Sequence, residues 1–189
     1  STGNACCFAS KTITGGASAF NVHNIEHKEK LFEIAYGASA SYGSFAPDLF
    51  ITKFTPFLRF NFRDNSNFRS NKFQSVNLRY VDISKDPDPL NISNNSDPDY
   101  KVFNIRYVNT NPGLIKYDKW FTDLQLSESF GKIAFNYEYR KLFDNNHQLG
   151  FRFFAGSFIY NKTSEDSDYF SFALDRPTDY LFDYNYLGR

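Results

Sequence analysis

Methionine is absent from this 189-residue chain, tryptophan occurs once and cysteine twice. The two cysteines, Cys6 and Cys7, are neighbours. A disulfide between adjacent residues is strained, and the pair makes no metal-ligand spacing, so cysteine usage says little about redox compartment. Net charge is also missing: 21 Lys plus Arg balance 21 Asp plus Glu. That balance removes the case for a nucleic acid or another highly charged polymer as partner. No run approaches the roughly 18 uninterrupted apolar residues that a membrane helix needs. The charged-then-apolar start of a signal peptide is not visible either. Residues 1–189 read as a single segment, mature or excised, truncated at both ends. Nothing resembles a Ser/His/Asp triad, a Gly-rich phosphate loop or a nucleotide fingerprint.

What the chain has instead is aromatic residues. Phe (23), Tyr (13) and the Trp make up 20% of it, although its mean hydropathy is negative. Aromatic-rich yet hydrophilic composition suits alternating strands better than helices. The run from Lys132 to Asn161 is the clearest instance. Ile133, Phe135, Tyr137 and Tyr139 fall on one face of a strand, Ala134, Asn136, Glu138 and Arg140 on the other. A polar turn leads into a second strand, in which Phe154 breaks the alternation and marks a bulge or an aromatic filling the polar side.

Similar units precede it. A small-residue hairpin is expected over Thr12–Val22 and Leu31–Tyr42. In 50–63, Phe54, Leu58, Phe60 and Phe62 oppose Arg59, Asn61 and Arg63, with Pro56 suggesting an edge, a bulge or a strand end. In 73–83, Val76, Leu78 and Tyr80 oppose Ser75, Asn77 and Arg79. Residues 85–99 read as a long loop and 109–113 as a turn. Between them Phe103, Ile105 and Tyr107 oppose Asn104 and Arg106; after them Trp120, Thr122, Leu124 and Leu126 oppose Asp123 and Gln125. A polar loop is expected at 161–168, followed by an aromatic, less regular end. The sum is an all-β antiparallel meander of about nine or ten strands, each about ten residues long, the length that crosses a tilted bilayer path.

Two architectures fit: a transmembrane β-barrel or part of one, and a soluble β-sandwich or lipocalin-like barrel. The strands are longer than the five or six residues usual in soluble sheets, and their polar faces carry mid-strand Arg and Asn, which favours the membrane. On that reading Leu78, Tyr80, Ile105, Tyr107, Trp120, Leu124, Phe135, Tyr137 and Phe151 face lipid, with Tyr80, Tyr107, Trp120, Tyr137 and Tyr139 near the ends of their stripes. Arg59, Arg63, Arg79, Arg106, Asp123, Glu138, Arg140 and Arg152 face the lumen. There the arginines either select anionic solutes or pair with Asp123 and Glu138 or grip a plug, and pairing or plugging is the expectation.

Three other motifs carry less weight. His23-Asn-Ile-Glu26-His27 spells an inverted zinc-protease signature, but it sits between alternating runs where a hairpin turn is the natural reading. Asp86, Asp88, Asp97 and Asp99 could ligate Ca²⁺, yet Asp-Pro pairs are turn formers and EF-hand spacing is absent. Sequons at Asn91, Asn94 and Asn161 are expected by chance in so Asn-rich a chain.

SVNLRYVDISKD, the stretch from YKVFNIRYVN to GFRFFAGSF, and YFSFALDRPTDYLFDYNYLGR resemble outer-membrane proteins of Bacteroidota. Within that group they are similar to the β-barrel that follows a gluzincin-type metallopeptidase-like domain. The resemblance covers about residues 50–189, with Asp175-Arg176-Pro177-Thr178-Asp179-Tyr180 its most distinctive part. It implies a barrel segment with no catalytic, cofactor or metal site of its own, since the H-E-x-x-H pattern of that zinc site is lacking. Any peptidase domain, periplasmic or extracellular, would lie outside it. The expected function is therefore outer-membrane anchor or porin-like solute pore, located in the cell outer membrane and partnered by its bilayer. The competing expectation is a soluble all-β module that binds sugar, peptide or an apolar ligand.

Overall fold

Alternation of apolar and polar residues has built one antiparallel sheet. The computed structural model describes residues 3–9, 12–25, 30–46, 49–63, 72–87, 99–144, 147–162 and 181. Among these are nine strands: β1 (Gly3–Ala9), β2 (Thr12–Asn24), β3 (Leu31–Ala46), β4 (Leu49–Arg63), β5 (Phe73–Pro87), β6 (Tyr100–Pro112), β7 (Lys116–Leu126), β8 (Phe130–Leu142) and β9 (Gln148–Asn161). They pair strictly in chain order, so the sheet is a meander whose edges are β1 and β9. Among the described residues it is not closed into a barrel, and no helix occurs.

Several elements differ from the sequence expectation. β1 was not foreseen. β5 runs on through Pro87 and β6 through Pro112, so the expected loop at 85–99 begins later and the turn expected at 109–113 is Gly113-Leu114-Ile115. Backbone pairing overrides turn propensity there: Thr110, Asn111 and Pro112 lie opposite Lys119, Asp118 and Tyr117. With strands this long, Tyr80, Tyr107, Trp120 and Tyr137 all lie at or within one residue of mid-strand rather than near an end. Pro56 sits inside a central strand. It is paired with Ala38 of β3, whereas the ladder to β5 passes from Phe54–Asp82 directly to Phe57–Arg79. A residue without an N–H costs that ladder its bonds locally but leaves the register intact.

Residues directly opposite in an antiparallel pair share a face, so the registers sort every side chain onto one of two surfaces. One row reads Leu58–Leu78–Ile105–Leu124–Ile133 from β4 to β8, and the next Phe60–Val76–Tyr107–Thr122–Phe135. The opposite surface carries the rows Arg59–Asn77–Arg106–Asp123–Ala134 and Phe57–Arg79–Asn104–Gln125–Lys132. These are called the apolar and polar faces below.

Burial does not follow polarity. Among the residues whose burial is described, every buried strand residue other than glycine lies on the polar face: Ala35, Ile51, Thr55, Val81, Ile83, Tyr100, Val102, Asn104, Phe130, Lys132 and Asn136. A single sheet buries side chains only where something covers them. Toward the ends of β5 and β7 that cover is apolar, with Ile51, Val81, Ile83, Tyr100, Val102 and Phe130 clustered around Leu181, which reaches them from beyond β9. Further along the strands, polar side chains cover one another.

Candidate functional site: two faces of one sheet

The polar face is a hydrogen-bonded band. Arg79 Nε donates to Asn104 Oδ1 (2.7 Å), and Asn104 Nδ2 donates to Asp123 Oδ1 (2.7 Å) and to the Leu124 carbonyl (3.1 Å). Gln125 Nε2 donates to the other Asp123 oxygen at 2.6 Å. Asn104, wholly buried, thus relays an arginine to a carboxylate. A second unit lies one hairpin on: Arg152 Nε donates to Asn136 Oδ1 (3.0 Å), Asn136 Nδ2 to Glu138 Oε1 (3.3 Å), and Arg152 stands 3.9 Å from Glu138. Buried polar groups are tolerable when partnered in this way, because each unpaired one costs about 1–3 kcal/mol.

All eight residues expected on the charged side, Arg59, Arg63, Arg79, Arg106, Asp123, Glu138, Arg140 and Arg152, share the polar face. Several meet ring faces, a partnership the sequence reading missed. Arg106 lies over Phe121 (4.4 Å), Arg63 over Phe32 (3.9 Å), Arg140 over Tyr117 (5.3 Å) and Arg59 over Phe57 (5.9 Å). A guanidinium over a ring is attracted by the ring quadrupole. The signal was present as aromatics such as Phe57 and Phe121 on the Arg-bearing face. Also missed was Lys132, buried beside Gln125 in register. Among the described residues, buried Asn77 Oδ1 and Arg106 Nε, on directly opposed residues, have no hydrogen-bond partner; Thr55 Oγ1 and Gln125 Oε1 likewise.

The nine residues expected on the greasy side, Leu78, Tyr80, Ile105, Tyr107, Trp120, Leu124, Phe135, Tyr137 and Phe151, all share the apolar face. They do not converge in a core. None is buried, and Tyr80 and Phe151 are exposed outright, as are Tyr36, Phe54, Phe103, Ile133 and Phe153 on the same face. Their rings form a diagonal ladder: Tyr107–Trp120 (4.9 Å), Trp120–Phe135 (6.1 Å), Phe135–Phe153 (6.3 Å) and, alongside, Tyr137–Phe151 (6.5 Å). Such tilted contacts are favourable without burying the rings.

No protein-family profile, curated protein or solved structure matches this chain. The geometry alone therefore carries the functional reading.

One detail locks the end of this face. Between Gly131 and Lys132 the β8–β9 register shifts by one residue, with Ile159 the extra residue. Beyond it the Tyr160 ring lies across Gly131, where an added Cβ would collide with the ring, and Tyr160 Oη donates to the Ser127 carbonyl. Phe154, opposite Asn136, is in register on the polar face; the bulge lies elsewhere.

The remaining motifs fall only partly among the described residues. His23 is an exposed strand residue of β2, while Glu26 and His27 lie outside the described residues. Asp99 accepts from the Lys85 amide (2.9 Å) and the Ser84 hydroxyl (3.3 Å), tying β6 to β5. Asp88, Asp97 and the sequons at Asn91 and Asn94 lie outside the described residues, as does 175–180.

Proposed function

We propose that this chain is a segment of an outer-membrane β-barrel whose apolar face meets lipid, and that it serves as a membrane anchor. The observation that carries the reading is the inverted burial: on the polar face Asn104, Lys132 and Asn136 are buried and Arg79, Arg106 and Asp123 half-buried, while on the other face Tyr36, Phe54, Tyr80, Phe103, Ile133, Phe151 and Phe153 stand exposed. In water that arrangement forfeits the hydrophobic term, about 25 cal/mol per Å² of apolar surface left exposed. Against hydrocarbon it is the stable one.

Strand length is compatible with it. On β6 the apolar residues Phe103, Ile105 and Tyr107 are bounded on their own face by Lys101 at one end and Asn109 at the other, eight residues apart. At ~3.3 Å per residue that is about 26 Å along the strand. A tilt of about 40° reduces it to roughly 20 Å, against the ~25 Å height of the apolar band in membrane barrels. Closure would require strands beyond those described. The resemblance to barrels that follow a metallopeptidase-like domain fits an anchoring role, with no catalytic residue in this segment.

A solute pore is the second reading, favoured by the charge of the polar face. Its two central rows hold Arg59, Arg79, Arg106 and Lys132 against the single acid Asp123. A pore lined this way would prefer anions, whereas the packed Asn104 and Asn136 networks favour an anchor. Reconstitution tests the main reading. The chain is expected to need detergent, and fluorescence of its single tryptophan, Trp120, to be quenched by lipids brominated along their acyl chains. A monodisperse protein without detergent, with Trp120 unquenched, would instead make it a soluble binding module.

A further inference from the structure

Along β7 and β8 the apolar face changes character in order. Leu124–Ile133 and Thr122–Phe135 come first, then Trp120–Tyr137, then Asp118–Tyr139, and last Lys116–Lys141. That final pair is unusual: two lysines directly opposed on one face, a placement that like-charge repulsion disfavours. Among the described residues neither is in an ion pair. Their ammonium groups instead lie over rings, Lys116 over Tyr139 (5.8 Å) and Lys141 over Phe143 (5.0 Å). Asp118, two residues along β7, accepts from Asn111 Nδ2 at 3.1 Å.

We propose that Lys116 and Lys141 form a headgroup site for an anionic phospholipid, the two ammonium groups sharing one phosphate. The proposal rests on the membrane reading above. Directly opposed residues have Cβ atoms about 5 Å apart, close enough for both side chains to reach one phosphate and for its charge to relieve their repulsion. The site is rigid. The Leu142 amide donates to the Ile115 carbonyl (2.8 Å), joining the two turns, and the Phe143 amide donates to the His147 carbonyl (2.8 Å). Gly113 admits no side chain, because a Cβ there would strike the Lys116 carbonyl oxygen.

The turns themselves point to the same surroundings. Leu114 is fully exposed and Ile115 two-thirds exposed, with Leu142 and Phe143 exposed beside them. Turn tips in water normally carry polar residues. On tilted strands two residues add only about 5 Å of depth, so these tips and the outward-reaching lysines share the interfacial level. Acyl chains of a lipid held there would run down the face past Tyr139 to Trp120.

The test uses the full chain in phosphatidylcholine vesicles containing equal fractions of either brominated phosphatidylglycerol or brominated phosphatidylcholine. Trp120 is expected to be quenched more strongly by the anionic lipid. Lys116→Gln with Lys141→Gln should reduce the relative affinity roughly five-fold per lysine, while Lys116→Arg with Lys141→Arg retains it. Equal quenching in the wild type, or an excess that survives the double glutamine variant, would overturn the site. Inorganic phosphate in the medium should leave the excess intact; its abolition would indicate a free-phosphate site and refute the lipid assignment. Absence of quenching by both lipids would refute the membrane reading itself, and the headgroup site with it.

Discussion

Individual residues are held by contacts that alternation alone does not reveal. Tyr160 is the sharpest case: its ring occupies the space that a side chain at position 131 would fill. Gly131→Val must displace that ring, and the overpacking should cost about 1–3 kcal/mol. Tyr160→Phe keeps the ring but loses the bond to the Ser127 carbonyl, and should cost about 1 kcal/mol. Denaturant midpoints of the two variants in the same micelles would rank them, and equal losses would show that the ring contact is not the main term. Asn104 is the corresponding residue on the polar face, since it bonds to both Arg79 and Asp123. Its part could not be read from the sequence, where it is one Asn among many; it follows only from registers that bring three strands together.

At the scale of the strand, the faces were legible and the ends were not. Period-2 alternation assigned all seventeen candidate residues to the faces the registers give them, because a strand leaves no third option. It failed where both faces turn apolar. Val81 and Ile83 continue the face of Arg79, yet the polar label was not extended to ask what covers them. It failed again where pairing carries β5 and β6 through Pro87 and Pro112. The lipid-facing assignment has a direct test in Leu78, which lies mid-strand on the apolar face. Leu78→Arg should destabilise the chain in bilayers by about 2–4 kcal/mol, the cost of a cation near the midplane. A loss near zero would mean that water, not lipid, meets that face.

The described residues form one sheet, with Leu181 packed against one end of its polar side. Seated among Ile51, Val81, Ile83, Tyr100, Val102 and Phe130, that one side chain joins residues beyond β9 to the middle of the sheet. Leu181→Ala should cost about 2–5 kcal/mol and speed amide hydrogen exchange at Val81 and Val102. Unchanged exchange would show that the cluster closes without it. The strictly sequential strand order has a consequence of a different kind. Each strand contacts only its neighbours in the chain, so contacts are local and no crossover has to wait for a distant partner. Assembly can then proceed as a zipper, one hairpin at a time. In such a structure a defect does not weaken the sheet evenly. A break at Pro56, where the ladder to β5 is already interrupted, would separate β1–β4 from β5–β9 and leave each able to grow without the other.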